Sequence, residues 1–173
     1  MRVIAGEFRS RRLKSLPGLT TRPTPDRLRE TLFDVIAPRL PDSIFMDVYA
    51  GTGAVGIEAL SRGARRSIFI ERNRAAAEVI HQNLTALDLE SRAEVFTSKA
   101  STVLERICAD IVFLDPPYET VKEYESSMVA LAASESPLVV VQHSSHFTPQ
   151  AEYERLRRYR VIKQGDNALS FYE

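Results

Sequence analysis

Polar and apolar positions in this 173-residue chain follow two rhythms. From Ile44 onward, short apolar runs typical of buried strands alternate with stretches whose apolar residues recur every three to four positions. The runs predict strands near 43–48, 67–71, 93–96, 110–114 and 138–142. The stretches predict helices near 54–62, 74–87, 100–107 and 120–132. Such alternation indicates a parallel sheet covered by helices on both faces. The end of the chain breaks the rule. Tyr153 to Ile162 and Ala168 to Tyr172 are two β-like runs separated by Gln164-Gly165-Asp166-Asn167, which predicts a terminal antiparallel hairpin.

The first forty residues follow neither rhythm. Met1 to Gly6 and Arg9 to Leu13 predict two short strands around a turn, and Leu16-Pro17-Gly18 ends the pattern. This arm holds too few apolar residues to fold alone, so it must lean on the body or on a partner. A helix follows, with Thr24 placed as its cap and Pro25 at its first position. Leu28, Leu32, Val35 and Ile36 share one face. Arg22, Arg27 and Arg29 are then expected to face a ligand, and Pro38 and Pro41 end the helix. The expected layout is a small extension over 1–40 and an α/β domain over 41–173.

Charge sharpens this division. The chain is neutral overall, yet residues 1–39 carry nine Arg or Lys against four acids, which makes them +5 and the remainder −5. A basic arm on an acidic body suits a polyanionic partner, although a solvated basic face has the same composition. Arg2, Arg9, Arg11, Arg12, Lys14, Arg22 and Arg27 are the candidate phosphate contacts. Cys108 is the only cysteine, so no internal disulfide can form and a cysteine metal cage is excluded. No apolar signal-like segment follows Met1-Arg2, and no run approaches the ~18 residues that span a bilayer. A cytoplasmic protein without membrane or metal partners is expected, and nothing calls for more than a monomer.

Two motifs carry chemistry. In Phe45-Met46-Asp47-Val48-Tyr49-Ala50-Gly51-Thr52-Gly53-Ala54-Val55-Gly56, a strand runs into a glycine loop and then a helix. Gly51-x-Gly53-x-x-Gly56 fits a nucleotide-cofactor fingerprint, and Glu71 closes the next strand, where an acid can bind ribose hydroxyls. The fingerprint alone does not choose the cofactor. A nicotinamide dinucleotide sets its pyrophosphate against the helix N-terminus. Asp47 would repel that group but suits the amino or sulfonium side of S-adenosylmethionine, so it favours the methyl donor.

The second motif is Asp115-Pro116-Pro117-Tyr118, directly after the apolar run Ile111 to Leu114. Proline lacks the N–H and fixes φ, so the strand must stop there, and the residue before it stays extended. The result is a stiff ledge with an acid at one end and a ring at the other. A plain strand stop with a loop tyrosine would use the same residues. Ligands of open α/β sheets bind outside the carboxyl ends of the strands, where this ledge falls.

Taken together, Asp47, Gly51-x-Gly53, Glu71 and Asp115-Pro116-Pro117-Tyr118 resemble a class I S-adenosylmethionine-dependent methyltransferase acting on an amino or amide nitrogen. Arg2-Val3-Ile4-Ala5-Gly6, the block Thr21 to Phe33 and Gly56-Ile57-Glu58-Ala59-Leu60-Ser61-Arg62-Gly63-Ala64 are similar to the RsmD family. The resemblance implies a Rossmann-like fold with a seven-stranded, mostly parallel sheet. It also implies methylation of guanine N2 in bacterial small-subunit (16S) ribosomal RNA, free or in assembling 30S subunits, with S-adenosylhomocysteine as product. Asp115, Pro116, Pro117 and Tyr118 would be catalytic. Asp47, Ala50, Gly51, Gly53, Glu71, Arg72, Ser98 and Asp115 would hold the cofactor.

The chain departs from the family in two places. Thr97-Ser98-Lys99-Ala100 lacks the Asp or Asn common near the adenine, and Gln142-His143 replaces Glu-His. The same ledge also serves enzymes that methylate adenine N6 in DNA or a glutamine amide in protein. A nicotinamide-dependent oxidoreductase and a non-catalytic RNA-binding module are the readings from other classes.

Overall fold

The computed structural model describes residues 1–16, 25–117, 120–135 and 137–173. Arg22, Tyr118 and the Thr24 cap lie outside the described residues. The elements are α1 (Asp26–Ile36), β1 (Ile44–Val48), α2 (Ala54–Ser61), β2 (Arg66–Ile70), α3 (Arg74–Thr85), β3 (Ala93–Phe96), α4 (Ala100–Leu104) and β4 (Ile111–Leu114). They continue through α5 (Val121–Ala132), β5 (Leu138–Ser144), β6 (Glu152–Tyr153), β7 (Leu156–Gln164) and β8 (Asn167–Tyr172).

The sheet runs β3-β2-β1-β4-β5-β8-β7-β6, parallel as far as β5 and antiparallel beyond it. Side chains alternate between its faces because the strand period is two. On one face Met46, Val48, Val112 and Leu114 pack with Leu104, Tyr124, Met128 and Leu131 of α4 and α5. On the other, Phe45, Ile111, Phe113 and Val140 meet Leu28, Leu32, Phe33 and Ile36 of α1 and Val55 and Ala59 of α2. Each fully buried Leu or Phe contributes about 1.5–3 kcal/mol. The central strands read as unbroken apolar runs because both faces are covered.

The expected seven strands are eight. The run Tyr153 to Ile162 does not continue as one strand, because Glu154 turns left-handed (φ 48) and splits it into β6 and β7. The N-terminal arm also differs from two regular strands, with Arg2 and Arg12 forming an isolated antiparallel bridge. Its donors are claimed by the body: Ile4 N and Ala5 N donate to Glu58 at 2.8 and 2.9 Å, Glu7 N to the Ser61 carbonyl, and Phe8 N to Ser61 Oγ. At Gly6 a Cβ would lie 1.9 Å from the Ser61 carbonyl oxygen, so only glycine permits this approach. Val3 and Leu13 insert beside Ile57, Leu60, Leu84 and Leu87, so the arm leans on the body as its composition requires.

Pro25 stands at the N-cap of α1 and not at its first helical position, so the helix starts at Asp26, one residue later than expected. Arg29 does not face a ligand. It is fully buried and donates to the Arg2 carbonyl at 2.8 Å and to Asp26 Oδ1 at 3.0 Å, tying arm to helix.

Candidate active site

The glycine loop descends from β1 through Tyr49 and Ala50, whose carbonyl accepts from Gly53 N at 2.8 Å. Gly51 and Gly53 hold its left-handed turns, with φ of 57 and 78. Gly56 serves packing: a Cβ there would sit 2.3 Å from the Phe69 ring, so its absence lets α2 press onto β2. Asp47 points from β1 to the start of α2, where its Oδ2 accepts from Gly56 N at 2.8 Å. A helix N-terminus is a natural anion site, and here the Asp47 carboxyl group already occupies part of it. Burial raises the Asp47 pKa to about 8, and the Asp115 and Glu71 charges add to the rise against the Gly56 bond.

Glu71 follows β2 and joins two loops. Its Oε2 accepts from Gly51 N at 2.8 Å and its Oε1 from Asn73 N at 2.7 Å. Asn73 in turn caps α3. Beside them lies a cavity of about 350 Å³ lined by Tyr49, Ile70, Arg72, Ser98, Lys99 and Glu123, among others. Ser98 Oγ donates to the Lys99 carbonyl at 3.1 Å. Tyr49, held left-handed at φ 66, donates its hydroxyl to Glu123 at 2.7 Å, and Arg72 lies 3.6 Å from the same carboxylate. Tyr49, Lys99 and Glu123 were not among the expected site residues. Tyr49 sits inside the motif, but Glu123 comes from α5, which no motif spacing reaches.

The ledge begins where β4 ends. Asp115 N donates to the Val48 carbonyl at 3.3 Å, so the ends of β1 and β4 lie side by side. Asp115 is half-buried, Pro116 buried and Pro117 exposed. The Pro116 carbonyl accepts from the buried Tyr124 hydroxyl at 3.3 Å, and the Pro117 carbonyl from Thr120 N at 3.0 Å. The structure therefore gathers Asp47, Ala50, Gly51, Gly53, Glu71, Arg72, Ser98 and Asp115 at the carboxyl ends of β1 to β4, as the topology requires.

The basic residues divide. Arg2, Arg9, Arg11, Arg12 and Lys14 are exposed on the arm, where Arg11 donates to the Ala86 carbonyl and Lys14 Nζ to Gln82. Asn83 links this arm to the glycine loop, accepting from Lys14 N at 2.7 Å and donating to the Thr52 carbonyl at 3.0 Å. Arg27 is exposed elsewhere, in a groove shared with Lys163 and Gln164. His143 is a buried strand residue between Ser170 Oγ and the Ser144 carbonyl, and burial lowers its pKa. Among the described residues, no cluster of three His, Cys, Asp or Glu is placed to hold a metal, and no helix is long and apolar enough to cross a membrane.

A sheet ordered β3-β2-β1-β4-β5, closed by antiparallel strands and carrying a glycine loop after β1 and an acidic ledge after β4, defines the Rossmann-like class I methyltransferase fold. The solved structure of yhhF from Escherichia coli shares it with a TM-score of 0.87 and 34% identity, covering 99% of this chain and 96% of that one. The solved TrmN from Thermus thermophilus shares the fold alone, at TM-score 0.68 and 16% identity, over 84% of this chain and 48% of that one.

The chain belongs to the RsmD family, described as conserved hypothetical protein 95, which matches it over residues 1–173. Ribosomal RNA small subunit methyltransferase D of Escherichia coli (strain K12) is 43% identical over 122 residues, 68% of this chain and 60% of that protein. YlbH of Bacillus subtilis is 39% identical over 127 residues, 70% of this chain and 69% of its own. The match thus spans 60% of the length of the Escherichia coli relative.

Proposed function

We propose that this chain transfers a methyl group from S-adenosylmethionine to the exocyclic N2 amine of a guanine in small-subunit (16S) ribosomal RNA. The observation that carries the reading is the pairing of two features at one edge: Asp47 bound to the N-terminal amide of α2, and Asp115 and Pro116 beside it at the end of β4. A pyrophosphate needs the helix N-terminus that Asp47 partly fills, which counts against a nicotinamide dinucleotide. The residues present fit S-adenosylmethionine. Glu71 is positioned for the ribose hydroxyls, since each oxygen has a lone pair beyond those given to Gly51 and Asn73. The cavity beside Ile70, Ser98 and Lys99 suits the adenine, and Asp47 suits the cationic amino-acid end. When bound, the cofactor supplies an electrophilic methyl group on a sulfonium.

The chain's own work is to prepare the nucleophile. The N2 lone pair of guanine is delocalised into the ring. Asp115 and the Pro116 carbonyl accept the two amine hydrogens, which favours a tetrahedral nitrogen and aims its lone pair. Tyr124 already donates to that carbonyl and fixes its direction, leaving one lone pair for the amine. Two prolines keep the acceptors rigid, so little reorganisation is needed at the moment of reaction. Tyr118 stacks on the base once it is splayed from its helix. A nitrogen held this way would face the sulfonium methyl that Asp47, Gly51 and Glu71 would position; as the N–C bond formed, S-adenosylhomocysteine would leave with the S–C electron pair, and Asp115 or water would accept the proton the nitrogen then sheds. The arm cations Arg2, Arg9, Arg11, Arg12 and Lys14, with Arg22 and Arg27, hold the RNA backbone.

Incubation with a tritiated methyl donor tests the reading. Immature 30S particles, free 16S rRNA, DNA and protein are offered in parallel. Label is expected in the ribosomal RNA, free or in particles, with the enzyme acting as a monomer. Label confined to DNA adenine or to a glutamine amide would reassign the same ledge to another substrate.

A further inference from the structure

The outer edge of β7 is unlike the rest of the surface. Leu156–Gln164 carries Arg157, Arg158, Arg160 and Lys163 and no acid, within a body that is −5 in all outside the arm. β6 pairs only with Leu156 and Arg157, so from Tyr159 to Gln164 the edge has no strand partner among the described residues. Arg157 is paired with Glu152 and Arg158 donates to the Pro149 carbonyl, whereas Arg160 and Lys163 form no ion pair among the described residues. Tyr159, next to Arg160, stands 52% exposed with one side of its ring tilted against Phe171 at 6.2 Å.

The register places this edge. Leu114, Val141, Ser170 and Val161 form one row across β4, β5, β8 and β7. Three strand spacings separate Val161 from Leu114, about 14 Å. β7 runs in the same direction as β4, so Lys163 lies level with the ledge residues that follow Leu114. There the strand opens into the groove of about 450 Å³ that Lys163 and Gln164 share with Arg27 and Pro25. Gln164 Nε2 donates to Thr31 Oγ1 at 2.7 Å, which fixes the strand end against α1.

We propose that the open edge of β7, with Arg160 and Lys163 and the groove to Arg27, is a second RNA-backbone contact that holds the strand flanking the target base. The proposal rests on the ribosomal RNA reading above. Arg160 and Lys163 project from opposite faces of the strand, so a polyanion running along the open edge reaches both, and the half-exposed Tyr159 ring beside Arg160 offers a plane on which a base can stack. Edge strands also carry charge simply to block pairing with other chains. That role needs neither a single sign nor a position level with the ledge.

The double variant Arg160→Gln/Lys163→Gln decides between the two. Binding of a 16S rRNA transcript is measured across salt concentrations for both proteins, with calorimetry of S-adenosylmethionine as the check on the fold. Loss of two phosphate contacts should flatten the slope of log affinity against log salt by about 1.4–1.8, with affinity down on the order of tenfold at moderate salt. Cofactor affinity should be unchanged. An unchanged slope overturns the proposal, and a variant that self-associates with an unchanged slope shows the cations to be an edge guard. If the wild-type protein shows no salt-dependent binding to the transcript, it is the ribosomal RNA reading that fails.

Discussion

Replacing Asp47 with asparagine separates stability from cofactor binding, and the sign follows from burial. Asp47 is 2% exposed, and its pKa is pushed from 3.8 to about 8, first by desolvation and then by Asp115 and Glu71. A carboxyl whose folded pKa lies above its unfolded value binds a proton more tightly in the native state. Its contribution is therefore fully present below pH ~4 and is lost as pH rises toward 8. Between those limits wild-type stability should fall as pH rises, by on the order of 1 kcal/mol per pH unit. Asparagine keeps an acceptor for Gly56 N and has no charge to titrate. Urea unfolding of both proteins at pH 5, 6, 7 and 8 reads the difference directly, because any constant cost of the new amide cancels. The stability gap should grow in favour of the variant as pH rises. Parallel pH profiles would show instead that Asp47 is ionised in the free protein. Cofactor affinity should move the other way, because a bound cationic amino-acid end stabilises the carboxylate that the variant lacks. In the wild type, cofactor binding near pH 7 should then release up to one proton, seen as a buffer-dependent calorimetric enthalpy.

Glu58→Ala removes the acceptor for Ile4 N and Ala5 N and leaves Arg62 Nε without its 2.7 Å partner. Breaking this buried set should cost about 3–5 kcal/mol by denaturant titration, with new proteolytic cuts in the arm. Glu71→Ala should weaken S-adenosylmethionine binding by about 1–3 kcal/mol by calorimetry, since it loses both the ribose contacts and the tie to Gly51 N. Neutralising Arg9, Arg11 and Arg12 together should weaken RNA binding and flatten its salt slope by about two or more. An unchanged slope would make the arm a solvated face.

Periodicity was enough for the parallel half of the sheet. Runs such as Ile111 to Leu114 are buried on both faces, and no other element of that length accommodates them. It could not show the break at Glu154, because no glycine or proline marks that left-handed turn. Nor could it show that Arg29 is buried, since the contact that draws it inward is a carbonyl 27 residues away. The site was legible where its residues lie at strand ends, as Asp47, Gly51, Glu71 and Asp115 do. It was not legible where a helix supplies the wall: Glu123 and Tyr124 belong to α5, and their roles follow from packing against Tyr49 and Pro116. The β7 edge has no sequence signature, because a hairpin strand becomes an edge only through the order of the sheet.

The central claim is that Asp115 and Pro116 prepare a guanine amine at the end of β4. Its most direct test is single-turnover methylation of unmodified 16S rRNA or immature 30S particles by the wild type and by Asp115→Ala, with the RNA digested to nucleosides and weighed by mass spectrometry. N2-methylguanosine is expected with the wild type. With the variant, turnover should fall by several orders of magnitude while S-adenosylmethionine still binds. Near-normal production of N2-methylguanosine by the variant would contradict it.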